Sequence, residues 1–287
     1  MLDVVYYPIS AVLWLWHRAF GALLGADNGF AWALSVVFLV FTVRALLLWP
    51  GIVSARTGRR LQKMRPELDA LRTKHGADTQ KLALETQRLQ REHGVRPMLG
   101  CLPALVQIPV FFGLYHVLRS FNRTGTGVGQ LGLTPEQNAT TANYLFSAHD
   151  VQSFLAARLF GAPISVSMSS SDTVLASFAQ FGGVPSLATI AAVALPLMLI
   201  ACLATHINTR FSLSHQSADP SNPMQADLTR KLMLWVMPVG SVVAGPVLPI
   251  AILLYWVANN AWTYAQQHLV HAVLEREESR GSARSSV

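Results

Sequence analysis

The stretch FAWALSVVFLVFTVRALLLWPGIV, residues 30–53, decides the fold, because it is long and apolar enough to cross a bilayer as a helix. Its one charged residue is Arg44. An arginine inside a span costs about 2.5 kcal/mol or more to insert, and its guanidinium keeps its charge. It therefore needs a carboxylate, a water-filled cavity or a ligand, and it predicts a functional site. Alternatively, the side chain reaches the lipid headgroups, although Arg44 lies roughly 21 Å along the helix from Phe30.

The composition indicates an all-α, polytopic membrane protein. Hydrophobic residues make up 52% of the chain and charged residues 13%, too apolar for an ordinary soluble domain. The longest apolar region, 231–271, would rise about 60 Å as one helix, twice the thickness of the hydrocarbon layer, and it carries turn-forming glycine and proline near its middle. We therefore predict five transmembrane helices: 30–53, 99–121, 186–211, 231–247 and 248–271.

The basic residues predict the orientation. Of 22 Lys and Arg, eleven lie between Arg56 and Arg96, whereas segment 122–185 has only Arg123 and Arg158. The positive-inside rule then puts 54–98 in the cytoplasm and 122–185 outside. With five spans, residues 1–29 lie outside, and 212–230 and the tail 272–287 lie in the cytoplasm. Within the N-terminal segment, residues 3–24 predict a helix lying on the membrane, and the part of the tail after Glu275 is expected to be disordered.

The cytoplasmic segment 54–98 predicts an antiparallel helical hairpin. Leucine and methionine recur at intervals of three and four from Leu61 to Leu71, and residues 75–78 read as a helix stop followed by a new N-cap. The outer faces are strongly basic. They are either a solvated positive-inside loop or a docking arm for an anionic partner, such as lipid headgroups or ribosomal RNA.

Polar side chains of several spans gather at one depth. Gln107 lies roughly 12 Å from the cytoplasmic edge, close to the depth of Arg44, and the amides of the last span, Asn259 and Asn260 first among them, fall in its cytoplasmic half. No carboxylate lies inside any predicted span. The pattern predicts a hydrated, cationic pocket that opens to the cytoplasm, is closed to the outside and reaches Val40. The alternative is ordinary amide contact between helices, worth about 0.6–2 kcal/mol each.

Nothing in the chain predicts an enzyme. It has no nucleophile elbow, P-loop, CxxC or HExxH motif, and we expect no catalytic residue, metal or cofactor. Cys101 and Cys202 both fall inside predicted spans, so a disulfide framework is not expected. Internal repeats, which many transporters carry, are not evident.

Several ordered motifs carry a family resemblance. They are FTVRALLLWP (41–50), KMRPELDALRTKHG (63–76), VRPMLGCLPALVQIPVFFGLYHVL (95–118), LFGAPIS (159–165), DPSNPMQADLTRKLMLWVMPVG (219–240) and LPIAILLYWVANNAWTYAQQHL (248–269). From about residue 9 to 275 the chain resembles the YidC/Oxa/Alb family of membrane protein insertases, in its five-span bacterial form.

The resemblance implies an insertase and chaperone of the bacterial plasma membrane that captures hydrophobic segments of nascent membrane proteins and releases them into lipid. Its partners would be those proteins and membrane lipids, with the ribosome and a Sec translocon as further partners, and no DNA. The implied groove residues are Arg44, Gln107, Tyr255 and Trp256, to which the polar pattern adds Asn259 and Asn260. The implied substrate-contact or slide residues are Ile108, Pro109, Phe111 and Pro238.

Two other functions stay open at this point. A small-anion transporter could use Arg44 as its binding residue. A non-catalytic assembly factor could stabilise other membrane complexes. The missing repeats and the basic hairpin disfavour the transporter.

The predicted orientation can be tested by labelling. In a variant without its native cysteines, Ser171→Cys is expected to react with a membrane-impermeant maleimide added to intact cells, because segment 122–185 lies outside. Ser286→Cys is expected to react only after permeabilisation. Labelling of both positions from the same side would contradict the orientation.

Overall fold

Helices make up most of the fold in the computed structural model, which describes residues 3–76, 78–95, 97–125, 131–214 and 223–285. The helices are α1 (Asp3–Leu24), α2 (Gly29–Leu46), α3 (Leu48–Lys63), α4 (Arg65–His75), α5 (Thr79–Glu92), α6 (Pro97–Arg119), α7 (Pro135–Thr140), α8 (Ala148–Ala156), α9 (Asp172–Ala176), α10 (Leu187–Ser214), α11 (Pro223–Ala244) and α12 (Ile250–Ser285). One small antiparallel hairpin, β1 (Arg158–Leu159) and β2 (Ala162–Pro163), interrupts them. The predicted helical class is confirmed.

Two helices of the described chain are long and apolar enough to span a bilayer. They are α2, with a mean hydropathy of 1.9, and α10, with 2.5. The first part of helix α11 carries charged residues such as Asp227 and Arg230, which lower its mean hydropathy. Helix α12 carries the amide pairs at 259–260 and 266–267, which lower its mean hydropathy in the same way. The five-span count stays a prediction.

The predicted first span, 30–53, consists of two helices. Helix α2 ends at Leu46, the backbone N–H of Leu47 bonds to the carbonyl of Val43, and α3 begins at Leu48. Pro50 explains the break, because it has no N–H to give to the carbonyl four residues back and its ring crowds that carbonyl. The break lies just after Arg44.

The N-terminal helix α1 packs against both α2 and α6. Its inner face buries Leu13, and its Trp16 donates from Nε1 to Thr42 Oγ1 at 2.9 Å. His17 stacks on Trp32 with ring centroids 3.6 Å apart, and burial lowers the pKa of His17 to about 4, which keeps the ring neutral. The helix predicted for residues 3–24 is present, and its position on the membrane stays a prediction.

Segment 122–185 folds onto the start of α2. Trp32 is fully buried, and its ring packs against Phe121, Phe146 and Phe154 at centroid distances of 5.7, 5.6 and 4.9 Å. Its Nε1 donates to Ser153 Oγ at 3.1 Å, so the buried indole has its hydrogen bond. Aromatic packing thus attaches this segment firmly to the first candidate span.

The same segment caps α12. A helix leaves its first backbone N–H groups without intrahelical partners. Here Ile250 N donates to the carbonyl of Val166 at 3.0 Å, and Ala251 N donates to that of Ile164 at 2.9 Å. The end of α12 opposite its charged tail is therefore covered by folded backbone.

The helical hairpin predicted in 54–98 is present as α4 and α5, and α5 is capped by Asp78, which accepts from Lys81 N at 3.0 Å. The expectation of a disordered tail is wrong, because α12 continues as one helix to Ser285. Ala77 within the predicted helix stop, parts of the loops 122–185 and 212–230 (residues 126–130 and 215–222) and the labelling position Ser286 lie outside the described residues.

Gly29 provides a test of how segment 122–185 docks. A Cβ on Gly29 would collide with the backbone carbonyl of Arg158, whereas a Cβ on Gly240 of α11 would meet no atom within 4 Å. We expect Gly29→Ala to lower stability by about 1–3 kcal/mol through overpacking, and Gly240→Ala to leave it unchanged or slightly raised by better helix propensity.

The measurement is the thermal midpoint of each purified variant in the same detergent. Equal midpoints for Gly29→Ala and wild type would contradict the tight contact between α2 and β1.

Candidate functional site

Arg44 is held by neutral oxygens of α12. Its Nε and Nη2 donate to Asn259 Oδ1 at 2.9 and 2.6 Å, and Nη2 also donates to Thr263 Oγ1 at 3.3 Å. Thr263 is fixed in turn by donating to the backbone carbonyl of Asn259 at 2.8 Å. Among the described residues, these hydrogen bonds orient the guanidinium without a carboxylate, so its positive charge is not neutralised.

A cavity of about 720 Å³ opens beside Arg44. It lies between α2, α3, α10 and α12, and it continues away from Arg44 toward basic side chains such as Lys63. Its wall is Arg44, Gly51, Ala55, Gly58, Arg59, Gln62, Lys63, Phe211, Ser212, Thr263, Gln266, Gln267, Val270, His271 and Leu274. The wall combines basic and amide side chains with apolar ones, and the hydrated, cationic pocket stays a prediction.

Sequence reasoning missed the α3 wall of this cavity. Gly51, Ala55 and Gly58 follow one another at intervals of four and three, which puts three small residues on one face of α3. Small side chains leave the volume empty that larger ones would fill, and a Cβ on Gly51 would meet the amide nitrogen of Gln266. The spacing of these small residues at intervals of four and three was the signal in the sequence that could have predicted the α3 wall. Thr263, the second partner of Arg44, had no comparable signal.

Gln107 lies one layer away from Arg44, against the aromatic residues of α12. Its Nε2 donates to the hydroxyl of Tyr255, which lies one helical turn before Asn259. Tyr255 is buried, and its ring centroid is 5.6 Å from that of Phe111. Gln107 and Tyr255 are thus brought together as predicted for the groove, but neither lines the 720 Å³ cavity.

Asn260 faces the opposite way from Asn259. Its Oδ1 accepts from Asn208 Nδ2 at 3.0 Å and from Thr205 Oγ1 at 3.2 Å, and it is 6% exposed. Successive residues of a helix point about 100° apart, so only one of the two amides can face Arg44. The contacts of Asn260 are those of an amide that joins α10 to α12.

The other predicted residues are spread over different surfaces. Ile108 is 55% exposed, Pro109 is exposed beside it, and Trp256 is half-buried. Pro238 is buried, and its carbonyl accepts from Ser241 Oγ at 2.5 Å and lies 3.7 Å from Cys202 Sγ. Its packing is toward α10.

Val40 does not reach the cavity. It is 2% exposed and belongs to the hydrophobic core, so the expectation that water reaches it is wrong. Val40 precedes Arg44 by one turn, and the cavity extends from Arg44 in the other direction, along α3.

The chain is similar in sequence to known membrane proteins. Residues 23–277 match the family model described as 60Kd inner membrane protein. Over 277 residues, the chain is 52% identical to a protein of Mycolicibacterium paratuberculosis named membrane protein insertase YidC, covering 96% of this chain and 77% of that protein.

Other relatives carry the same name. One from Mycobacterium tuberculosis is 52% identical over 96% of this chain and 74% of its own length. One from Mycobacterium leprae is 50% identical over 96% of this chain and 72% of its own length. A matched family model over most of the chain and relatives of this similarity lead to one conclusion: the chain belongs to the 60Kd inner membrane protein family, whose insertases it resembled by motif.

Proposed function

We propose that this protein is a membrane protein insertase, the activity that the names of its relatives state, that it also acts as a chaperone, and that it works without catalysis. The observation that carries the proposal is the guanidinium of Arg44, oriented by Asn259 and Thr263 and facing a polar cavity. A charge held in this way can attract an acidic segment and then let it go, because no residue of the protein is consumed or modified.

Attraction is the first step of the proposed mechanism. Two opposite charges about 4 Å apart gain roughly 4 kcal/mol at an effective dielectric constant near 20. An acidic residue in the translocated part of a substrate gains this attraction energy on entering the cavity beside Arg44. The gain is modest enough to be lost again when the segment moves on.

Release follows from the hydrophobic effect. A polar cavity that reaches part of the way across the membrane shortens the apolar barrier that a hydrated segment must cross. The transmembrane part of the substrate then gains roughly 25 cal/mol for each Å² of apolar surface that leaves water for lipid. No nucleotide hydrolysis is needed.

Exposed apolar side chains support membrane placement of several helices. They recur on α6 and α10 in helical spacing, and a soluble monomer rarely leaves such large apolar surfaces in water. The exposed residues are Leu105, Ile108 and Phe112 on α6 and Leu195, Leu199 and Leu203 on α10. We propose five spans in the bacterial plasma membrane with the N-terminus outside and the C-terminus in the cytoplasm, and α1 in the outer interface.

The proposed partners are nascent membrane proteins and membrane lipids. The basic hairpin α4–α5 and the charged end of α12 extend from the cavity side of the molecule and suit contact with the ribosome. A Sec translocon is a further proposed partner for substrates with long translocated domains. Ile108, Pro109, Phe111 and Trp256 are the proposed contacts for the hydrophobic part of a substrate.

The charge of Arg44 can be tested by three variants in reconstituted vesicles. Arg44→Ala is expected to reduce insertion of substrates with acidic translocated tails by about tenfold or more, since it removes the attraction. Arg44→Lys keeps the charge and should retain much of the activity. Asn259→Asp puts a carboxylate where the amide oxygen now contacts the guanidinium, so it should reduce insertion although Arg44 is unchanged.

The control is a substrate with a neutral tail, whose insertion should change little in all three variants. If Arg44→Ala and wild type insert several acidic-tail substrates equally, the role of Arg44 is wrong. Vesicles that take up small anions but insert no polypeptide would favour a transporter, and the absence of both activities would favour an assembly factor.

Water in the cavity is tested by single cysteines, with Cys101 and Cys202 replaced first. Ala55→Cys on the cavity wall is expected to react with a membrane-impermeant thiol reagent from the cytoplasmic side. Ala33→Cys, which is 8% exposed in the core of the outer half, should stay protected. Protection of Ala55→Cys at every reagent concentration would mean a dry cavity and would remove the physical basis of the mechanism.

A further inference from the structure

The turn between β1 and β2 holds an aromatic residue in an unfavourable backbone conformation. Leu159 pairs with Ala162, so Phe160 and Gly161 form a two-residue turn, with φ of 48° and 88°. Such turns normally use asparagine or glycine, because a bulky side chain disfavours the left-handed region. A phenylalanine at this position therefore needs an interaction whose stabilisation outweighs the backbone strain.

Packing of Phe160 against the protein core does not provide that stabilisation. Phe160 is 80% exposed, among the most exposed large apolar side chains of the described residues. Among the described residues, its ring contacts only Phe30, the second residue of α2, edge-to-face at a centroid distance of 5.7 Å, and Phe30 is itself 49% exposed. The side chain therefore points away from the core.

The turn is nevertheless held in place. The guanidinium of Arg158 donates to the carbonyl of Gly161 at 3.0 Å and to that of Phe181 at 2.9 Å, which ties the turn to the loop before α10. On the other side, the backbone of Arg158 lies against Gly29, where no Cβ would fit. The exposure of Phe160 is thus a fixed property of the fold.

The turn lies between the first residues of α2 and α10, the two helices that are apolar enough to span a bilayer. Gly161 is next to the methyl group of Thr189 in the first turn of α10. Val184 and Leu187, just before and at the start of α10, are each 58% exposed. Phe160 therefore extends the exposed apolar surface formed by the first residues of both candidate spans.

We propose that the β1–β2 turn is a membrane anchor, with the ring of Phe160 inserted in the outer leaflet at the boundary between headgroups and acyl chains. This inference rests on the membrane placement of α2 and α10 proposed above. Lipid is the partner because the exposed ring continues the surface of two helices that enter lipid at the same level. Aromatic rings favour this depth of a bilayer.

The anchor would fix the depth of the external segment. That segment caps α12 through Ile164 and Val166, and α12 carries the partner of Arg44. Phe160 would thus hold the outer ends of α2, α10 and α12 at one level relative to the lipid. The anchor would occupy none of the space in the groove.

The test is the depth of a spin label in lipid nanodiscs made from phosphatidylcholine and phosphatidylglycerol, with Cys101 and Cys202 replaced. Labels are attached to Phe160→Cys, to Leu199→Cys on the lipid-facing side of α10 and to Glu136→Cys, an exposed position of the same external segment. We expect the spin labels at 160 and 199 to collide more often with oxygen than with a water-soluble nickel chelate. The label at 136 is expected to collide more often with the nickel chelate.

The outcomes separate the anchor from the function proposed above. A label at 199 in lipid with the label at 160 in water overturns the anchor and leaves the spans intact. Labels at 199 and 160 both in water overturn the membrane placement itself. A label at 160 shielded from both reagents means that protein covers the turn, which also overturns the lipid anchor.

A second variant guards against a folding effect of the cysteine. Phe160→Asn suits the left-handed conformation, so its thermal midpoint in detergent should equal or exceed that of wild type. A clearly lower midpoint would mean that Phe160 acts in core packing, and the anchor would be wrong.

Discussion

The charge of Arg44 is the constraint on which the rest of the structure depends. A guanidinium cannot lose its proton to escape a low-dielectric environment, so the fold must supply either a counter-charge or polar surroundings. This chain supplies neutral oxygens from Asn259 and Thr263 and a cavity on one side. Hydrogen bonds of this kind fix the position of the charge while leaving it available to an acidic group.

The cavity lies beside the break between α2 and α3, and the inner face of α3 consists of small residues. Pro50 prevents α2 from continuing, and the new helix presents Gly51, Ala55 and Gly58 toward α12. Larger residues on that face would fill the space between α3 and α12. One proline and three small residues, none of them charged, thus decide whether Arg44 faces an open space or a packed interface.

Closure on the other side depends on segment 122–185. Its aromatic residues bury Trp32 of α2, and its carbonyls at Ile164 and Val166 take the free N–H groups of α12. These contacts join elements that are far apart in the chain. They make the half of the bundle around Trp32 dense, whereas the cavity lies on the other side of Arg44, and this asymmetry supports the one-sided groove proposed above.

The sequence by itself determined the helical class and the hairpin α4–α5, which follow from local periodicity and from an N-cap at Asp78. It also predicted a functional role for Arg44 from the cost of one charge in an apolar run. Only the tertiary structure decided which amide serves Arg44. Asn259 and Asn260 are adjacent and chemically identical, and the rotation of α12 turns the first toward α2 and the second toward α10. That rotation is set by packing between distant helices, which local pattern does not encode.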